Sequence, residues 1–404
     1  VLAGTQGMNS HKKLDRVIEV AGELKLPVVL FAEGAGGRPG DMDADIVAGL
    51  DLLSFTRFAA LSGKAPLIGI LEGPCFAGNA CLLGFCDVII ATEHANLGMG
   101  GPAMIEGGGL GIVSVEEIGP IDVQTKNGVV DVAVANEAEA VSVAKKYLSY
   151  FQGALPEWDA ADQRKLRFLI PENRLRVYDI RNVINTLADQ DSVLELKPRF
   201  GPGIITALIR IEGRPFGLIA NDPAFESGAI EPEGADKASR FMQLCNVHGL
   251  PILSLCDTPG FMVGPEVEER AHVRHCCQMF IQGANLKVPF FGVVLRKGYG
   301  LGAQSMLCGS FHKPLFTISW PTGEFGGMGL EAGVRLALKK ELAAIENLDE
   351  REKTYQMFVD GAYKMGKATN VAAHLEIDAV IDPAETRRWI ISGLDATDES
   401  KHYR

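Results

Sequence analysis

LPVVLF at residues 26–31 is repeated as LPILSL at residues 250–255, 224 residues further along the chain. The first segment leads to an acidic residue, Glu33, and the second leads to Asp257 at the same spacing. Self-similarity at a fixed distance is the signature of an internal repeat, because each copy folds into the same kind of unit. The sequence therefore predicts a duplication.

Further matches follow in the same order and support this interpretation. They are Lys13 and Arg16 with Lys237 and Arg240, Gly36 with Gly260, PLIG at 66–69 with PFFG at 289–292, and GMG at 98–100 with GMG at 327–329. In each half a helical stretch, an apolar strand and a glycine-bearing turn alternate. This alternation is typical of an α/β fold whose buried strands are covered by helices.

The repeats divide the chain into an N-terminal domain over residues 1–150 and a C-terminal domain over residues 201–404. Residues 151–200 between them have a different composition, rich in Arg, Asp and Asn, with an amphipathic stretch near residues 177–187. We predict that this region is a connector with one or two helices.

The composition excludes several classes of protein. With 404 residues, of which 47% are hydrophobic and 22% charged, the chain is long enough for two hydrophobic cores and too apolar to be disordered. The formal charge of −12 disfavours nucleic acid, and the sequence shows neither a membrane-length apolar run nor a signal peptide. We expect a cytoplasmic protein, or a mitochondrial matrix protein in a eukaryote, with no nucleic-acid or membrane partner.

The eight cysteines are scattered through apolar segments and form no CxxC pair. This pattern indicates buried, reduced thiols and argues against structural zinc, so no bound metal is expected.

Two glycine-rich turns are the candidate functional elements. A predicted strand is followed by GPCFAGN at residues 73–79 and then by an apolar helix. GLGAQ at residues 300–304 has the same arrangement of strand, glycine turn and helix. Free backbone N–H groups at such a turn suit an oxyanion. Close packing of helix and strand would explain a single glycine turn equally well, but two turns at matching positions favour two polarised carbonyl groups. No P-loop motif is present, and the glycines at residues 109–111 do not fit a dinucleotide-binding fingerprint.

Side chains that could act as acid or base are not evident. The eight histidines include none that lies at a spacing expected for a nucleophile, and surface or core roles explain them better. A site built from backbone amides alone would need its base from a cofactor.

Seven segments resemble one enzyme family. They are EGAGGR at residues 33–38, the turn at 73–78, GPAMIE at 101–106, DTPGF at 257–261, RKGYG at 296–300, WPT at 320–322 with Met328 and Gly329, and IDPAETR at 381–387. YDIR at residues 178–181 adds to them. Together they resemble the carboxyltransferase (β) components of propionyl-CoA, methylcrotonyl-CoA and related biotin-dependent acyl-CoA carboxylases, and the resemblance runs over nearly the whole chain.

The resemblance implies the fold and the reaction. The fold would be α/β, with tandem duplicated crotonase-like (ClpP/crotonase) ββα superhelix domains. The N-terminal domain would bind acyl-CoA, and the C-terminal domain of the opposing subunit would bind carboxybiotin. The carboxyl group would pass from carboxybiotin to the α-carbon of the acyl-CoA by way of a thioester enolate. Biotin that has released its CO2 would take the α-proton, which would explain the missing side-chain base.

The resemblance also implies site residues and partners. Ala77 and Gly78 would hold the enolate oxygen, and Leu301 and Gly302 the ureido oxygen of biotin. The substrate-binding residues would be Lys13, Arg16, Gly36, Gly37, Arg38, Phe76 and Gln304, and the cofactor-binding residues Tyr299 and Gly300. Biotin carboxylase and biotin carboxyl carrier domains or subunits would be partners, and the chain would form a homo-oligomer with active sites at the dimer interface, as a hexamer built from three dimers.

The chain departs from the family pattern at three places. Ala77 and Leu301 stand where many members have glycine, and Gln304 stands where an Asp is frequent, which leaves the acyl specificity open. Members of the family usually have tens more residues before the Lys-x-x-Arg helix, so the N-terminal domain is expected to be truncated at its start.

Three alternative functions remain open from the sequence. They are the carboxyltransferase subunit of a biotin-dependent decarboxylase of the glutaconyl-CoA type, a crotonase-type hydratase and a non-catalytic scaffold of the same fold. The hydratase would need one or two carboxylates at the oxyanion turn, and neither turn offers them. No biotin attachment motif is present, since residues 364–367 have unsuitable neighbours, so the biotin is expected on a separate carrier domain.

Overall fold

The computed structural model describes residues 2–38, 40 and 48–401. The chain divides into two compact units, the first formed by Val1–Gly153 with Leu196–Phe200 and the second by Ala154–Glu195 with Gly201–Arg404. Both units are mixed α/β, as the alternation of strands and helices in the sequence predicted.

The first unit contains a parallel sheet flanked by helices. Its strands are β1 (Val28–Phe31), β2 (Leu67–Leu71), β3 (Pro74–Phe76), β4 (Val88–Thr92), β5 (Asn96–Gly98) and β6 (Val132–Val134). Its helices are α1 (Met8–Leu24), α2 (Ser54–Ala59), α3 (Gly78–Gly84), α4 (Pro102–Gly107), α5 (Ile121–Lys126) and α6 (Glu137–Ser149). The main sheet has the order β1-β2-β4-β6, and β3 pairs separately with β5.

The second unit opens with α7 (Ile180–Leu187) and is built around a larger sheet. Its strands are β7 (Leu194–Leu196), β8 (Ile204–Ile211), β9 (Arg214–Asn221), β10 (Ile252–Thr258), β11 (Phe290–Tyr299), β12 (Phe316–Ser319), β13 (Glu324–Gly326) and β14 (Ala379–Val380). Its further helices are α8 (Pro232–His248), α9 (Pro265–Glu268), α10 (His272–Ala284), α11 (Gly300–Met306), α12 (Leu330–Ala337), α13 (Lys339–Ala344), α14 (Leu348–Met365), α15 (Ala368–Ala373) and α16 (Thr386–Lys401).

The two units repeat one strand order. The order β1-β2-β4-β6 in the first unit corresponds to β10-β11-β12-β14 in the second, and all of these pairs are parallel. Residues of β2, β4 and β10 are buried along the whole strand, as the near-continuous apolar runs of central parallel strands require. In both units the long helix before the first matching strand ends on a left-handed residue, Lys25 or Gly249, followed by Leu-Pro.

The pairing corrects one match made from the sequence. Phe76 pairs with Gly98, and Tyr299 pairs with Gly326, so Gly98 corresponds to Gly326 rather than to Gly327. The match of the two Gly-Met-Gly patterns was wrong by one residue, because glycines occur on both sides of this position. The true correspondence is set by the register of the hydrogen-bonded strands.

Much of the segment expected to be a connector packs into the second unit. Residues 154–195 belong to this unit, and Leu166, Ile180 and Ile184 are buried in the same core cluster as β8–β12. Among the described helices, none has the length and apolar character needed to cross a bilayer.

Candidate active site

The first glycine turn connects β3 to α3 in the first unit. Ala77 in this turn has φ 52 and ψ −122, a positive-φ conformation that glycine adopts readily and a residue with a Cβ adopts at a cost. The Ala77 N–H donates to the Gly98 carbonyl over 3.3 Å. Gly78 is the first residue of α3, so its N–H has no acceptor within the helix and can serve as the donor of the turn.

The segment after β1 lies against this turn. The Phe76 N–H donates to the Gly34 carbonyl over 2.9 Å. A Cβ placed on Gly36 would lie 2.6 Å from the Ala77 Cβ and 3.0 Å from the Gly78 nitrogen. Glycine at position 36 therefore keeps the space beside the Gly78 amide open.

The structure brings six of the predicted site residues together here, namely Gly36, Gly37, Arg38, Phe76, Ala77 and Gly78. The Arg38 guanidinium donates from Nε to the Thr5 hydroxyl over 3.3 Å. The other two basic candidates, Lys13 and Arg16, are exposed on α1, where Arg16 pairs with Glu19 at 2.9 Å. The assignment of these three cations to CoA stays a prediction.

The second turn, between β11 and α11, has a similar backbone path. Gly300 has φ 58, and Leu301 follows in the first turn of the helix with 62% of its surface exposed. Its N–H has no acceptor within the helix. A Cβ on the next residue, Gly302, would lie 2.5 Å from the Gly260 carbonyl carbon, so α11 packs directly on the backbone after β10.

Strand pairing shows which residues of the two turns correspond. In each unit the strand before the turn pairs with a short parallel strand, β3 with β5 and β11 with β13, and the next residue has positive φ. Ala77 therefore corresponds to Gly300, and Gly78 corresponds to Leu301. The predicted pair Leu301 and Gly302 is displaced by one residue from this correspondence.

A cavity of about 790 Å³ adjoins Leu301 in the second unit. Most of its walls are apolar, and they include Gly260, Phe261, Met262, Val263, Val273, Phe280, Leu301 and Met328. Ligand sites are commonly concave and apolar with a few polar groups, and the amide at the start of α11 is such a group.

Gln304 lies in a different cavity, of about 630 Å³. Phe311, Phe325 and Val371 contribute apolar walls there. The two cavities share Gly300 and Gly327, and a Cβ on Gly300 would lie 3.0 Å from the Gly327 carbonyl oxygen. The backbone at Gly300 and Gly327 therefore separates the Leu301 cavity from the Gln304 cavity.

The strand before the second turn carries partly buried polar side chains. Tyr299 donates its hydroxyl to Glu324 over 3.1 Å, and burial raises the pKa of Glu324 and of the Tyr299 phenol. The Lys297 ammonium donates to the Ser227 carbonyl, and burial lowers the pKa of Lys297. The sequence predicts Tyr299 as a cofactor contact. The structure places its hydroxyl against Glu324, and the contact with a cofactor stays a prediction.

Comparison with known proteins identifies the family. The carboxyl transferase domain family matches residues 1–404, which is the whole chain. The chain belongs to the carboxyl transferase family.

Relatives with curated names support this membership. The uncharacterized carboxylase YngE of Bacillus subtilis is 32% identical over 96% of this chain and 78% of its own length. The methylmalonyl-CoA carboxyltransferase 12S subunit of Propionibacterium freudenreichii is 30% identical over 98% of this chain and 76% of its own length.

Solved structures agree with these relatives. A single-chain, multi-domain long-chain acyl-CoA carboxylase is 56% identical with a TM-score of 0.91, covering 97% of this chain, and this chain spans 38% of that protein. The transcarboxylase 12S hexamer, solved with methylmalonyl-CoA, is 28% identical with a TM-score of 0.87, covering 98% of this chain and 77% of that one. The chain is thus an acyl-CoA carboxyltransferase of the biotin-dependent carboxylase class.

Several motif residues that carry the family resemblance form the scaffold of this carboxyl transferase. Asp257 of the DTPGF segment is fully buried and accepts hydrogen bonds from the Tyr178 hydroxyl over 2.7 Å and from Arg296 Nε over 3.1 Å. Trp320 of the WPT segment donates from Nε1 to the Thr386 hydroxyl over 3.0 Å. These contacts join segments distant in the sequence and hold parts of the second unit together.

Arg387, the last residue of the IDPAETR segment, has the same structural role. Its guanidinium donates to Asp189 over 2.6 Å and to the Leu187 carbonyl over 2.8 Å, with both charged side chains buried.

The candidate bases and nucleophiles of this carboxyl transferase are poorly suited to catalysis. His11 Nδ1 lies 2.9 Å from the Ser54 hydroxyl, which donates to Asp15 over 2.5 Å, but Ser54 is fully buried and stands between the other two residues. A catalytic triad places the histidine in the middle. Burial raises the pKa of the Cys75 and Cys276 thiols to about 12. Within the described residues, no group of three or more potential metal ligands is present.

Proposed function

We propose that this chain transfers a carboxyl group from carboxybiotin to the α-carbon of an acyl-CoA. The observation that carries the proposal is the pair of corresponding turns, each with a positive-φ residue, Ala77 or Gly300, followed by a backbone amide at the start of a helix. A reaction between two carbonyl compounds requires stabilisation of an oxygen on each of them, and backbone amides are preorganised donors for that purpose.

In this proposal each unit binds one of the two reactants. The fold is a crotonase-like domain used twice, with residues 1–150 forming the acyl-CoA half and 201–404 the carboxybiotin half. The Ala77 and Gly78 turn holds the thioester oxygen as it gains negative charge. The Leu301 turn holds the ureido oxygen of biotin, and the adjoining apolar cavity of about 790 Å³ fits a fused bicyclic ring system.

The chain's own contribution to the chemistry is orientation and charge stabilisation. The Gly78 N–H lowers the energy of the enolate that forms when the α-proton of the acyl-CoA leaves, and Gly36 keeps room beside that amide. When bound, carboxybiotin supplies the CO2 and then the base that takes the α-proton. This division requires no catalytic role of the buried thiols or of the hydrogen-bonded His11.

A long-chain acyl-CoA is the substrate class that we propose. The support is the 56% identity to a long-chain acyl-CoA carboxylase, which is well above the 28% identity to transcarboxylase 12S. In that carboxylase the corresponding region is one part of a multi-domain chain. Biotin carboxylase and biotin carboxyl carrier components would therefore act with this chain, and the hexamer named for transcarboxylase 12S suggests the same assembly here.

The test is the reverse half-reaction with free biotin as acceptor. Malonyl-CoA, methylmalonyl-CoA and a long-chain 2-carboxyacyl-CoA are offered in turn, and carboxybiotin formation is measured. A parallel reaction without biotin measures direct loss of CO2. Biotin-dependent transfer with the highest kcat/KM for the long-chain donor is expected. Equal rates with and without biotin would refute carboxyl transfer, and preference for malonyl-CoA or methylmalonyl-CoA would refute the long-chain assignment.

A further inference from the structure

Asn79, the second residue of α3, makes an unusual set of contacts beside the first turn. Its Nδ2 lies 3.0 Å from the Gly4 carbonyl oxygen, 2.9 Å from that of Glu33 and 2.6 Å from that of Ala35. Its Oδ1 accepts from Gln6 Nε2 over 2.7 Å. Three carbonyl oxygens around one atom define that atom as the amide nitrogen, because an oxygen there would have no hydrogen to donate.

These contacts hold the segment that follows β1, and this segment lies against the first turn. Glu33 and Ala35 belong to the segment that leads from β1 to Gly36, and Gly36 is the residue whose Cβ would lie 3.0 Å from the Gly78 nitrogen. Asn79 directly follows Gly78 in the chain. One carboxamide therefore fixes the spacing between the segment before Gly36 and the amide that faces it.

The second unit closes its turn by a different route. The residue that corresponds to Asn79 is Gly302, which has no side chain, and its Cα approaches the backbone so closely that a Cβ would lie 2.6 Å from the Gly260 Cα and 2.8 Å from the Phe261 nitrogen. Direct backbone packing thus does in the second unit what side-chain hydrogen bonds do in the first. At this position the first unit has a hydrogen-bonded side chain where the second has direct backbone contact, and in the first unit this side chain adds to the close packing of Gly36 on Ala77.

We propose that Asn79 is a positioning residue for the first oxyanion turn, where it sets the distance between the Gly78 amide and the thioester oxygen by joining the turn to the Glu33–Ala35 segment. This inference rests on the proposed carboxyl transfer. Asn79 acts through Gly78 and does not touch the reacting atoms. An effect of this kind appears in the transition state, when the oxygen gains charge, rather than in ground-state binding of CoA.

The test compares Asn79→Ala and Asn79→Asp with the wild-type chain. Asn79→Asp preserves the shape of the side chain, removes both N–H donors and adds a negative charge, whereas Asn79→Ala removes the donors without adding charge, so a loss shared by both variants assigns the effect to the missing donors. The control is Asn285→Ala, because Asn285 also donates Nδ2 to a backbone carbonyl, that of Ile281 over 2.7 Å, but lies at the end of α10. Carboxyl transfer to free biotin, CoA-binding stoichiometry and thermal unfolding are measured for each protein.

Both Asn79 variants should lower kcat by roughly 10- to 100-fold, the size of a misplacement of about 1 Å, while KM for acyl-CoA and for biotin change by less than about threefold. CoA should still bind at the wild-type stoichiometry, which shows that the loss does not come from unfolded protein. Asn285→Ala should retain wild-type kinetics.

Three results would overturn the inference. The first is wild-type kcat in Asn79→Ala, and the second is wild-type kcat in Asn79→Asp, which would show that shape alone matters at this position. A loss of activity that matches a loss of CoA-binding sites would assign Asn79 a purely structural role and would also overturn it. A wild-type chain that transfers no carboxyl group to biotin refutes the proposed function instead, so the two failures are distinguishable.

Discussion

Leu301→Pro tests whether a backbone amide, rather than a side chain, acts at the second turn. Proline removes the N–H of residue 301 and is tolerated in the first turn of a helix, where that N–H has no helical acceptor. The preceding Gly300 has φ 58, and glycine adapts to a following proline more easily than other residues do. The change therefore removes one donor and leaves α11 able to form.

The expected magnitude follows from the exposure of the residue and from the strength of such donors. The Leu301 side chain is 62% exposed, so its loss removes little buried area. Removal of a single oxyanion donor costs about 10²- to 10³-fold in kcat, or about 3–4 kcal/mol of transition-state stabilisation. Because the amide is proposed to act on biotin, KM for acyl-CoA should stay near the wild-type value.

The assay is carboxyl transfer from a carboxyacyl-CoA to free biotin, with Leu301→Ala as the matched control. Leu301→Ala removes the same side-chain contacts and keeps the N–H, so it should retain most of the wild-type kcat. If Leu301→Pro and Leu301→Ala lose activity equally, the side chain matters and the amide does not. That result would remove the second turn from the mechanism.

Leu301→Pro also tests whether one active site combines residues of two subunits. Gly36→Ala is the matching change in the first turn, because its Cβ would lie 2.6 Å from the Ala77 Cβ and disturb the turn. Proline at position 77 is unsuitable, because it cannot adopt φ 52 and would change the whole turn. If each site combines the first unit of one subunit with the second unit of another, equal co-refolding of Leu301→Pro and Gly36→Ala should restore about a quarter of the wild-type activity. Mixed dimers without activity would place both turns in one subunit's site.

Two further changes test the Gln304 cavity and the buried ion pair of Arg387 with Asp189. Gln304→Leu should shift the ratio of kcat/KM between short and long carboxyacyl-CoA donors by about 1–3 kcal/mol, because Gln304 lines an apolar cavity beside the second turn, and equal loss on all donors would indicate a structural role only. Arg387→Ala should lower the unfolding free energy by about 3–5 kcal/mol, because it leaves Asp189 buried without its cation. The control Arg388→Ala, 81% exposed at its side chain, should change it by less than about 1 kcal/mol, and equal effects in a thermal melt would contradict this account.

The repeat in the sequence was sufficient to predict the order of the main elements. Apolar strands preceded by a helix and followed by a glycine turn occur twice, and the structure has corresponding parallel strands in both units. The polar composition of residues 151–200 did not indicate which of its residues pack into a core. Tyr178, Ile180 and Ile184 are buried there, because the charged residues between them face outward or pair as Arg181 does with Glu195 over 2.7 Å.

The glycine turns could be predicted from sequence, but the contacts that close them could not. Asn79 reaches Gly4 and Glu33, which lie 75 and 46 residues away along the chain, and no periodicity encodes such a contact. The sequence shows that Ala77 departs from the glycine-rich pattern, but it does not show which backbone conformation this residue adopts. The structure shows that Ala77 keeps a glycine-like φ of 52, so the turn is held in place by its surroundings.

The difference between the two turns bears on how a duplicated enzyme can change its substrate. In the second unit α11 packs on Gly260 without a side chain between them, so almost any residue larger than glycine at position 302 would force the backbone to move. In the first unit the Asn79 carboxamide makes the corresponding contact through hydrogen bonds to the Glu33 and Ala35 carbonyls. Biotin is the same molecule in every reaction of the class, whereas the acyl group varies. Under the proposed assignment of biotin to the second turn and acyl-CoA to the first, direct backbone packing would lie beside the constant ligand, and the hydrogen-bonded Asn79 side chain would lie beside the ligand that varies.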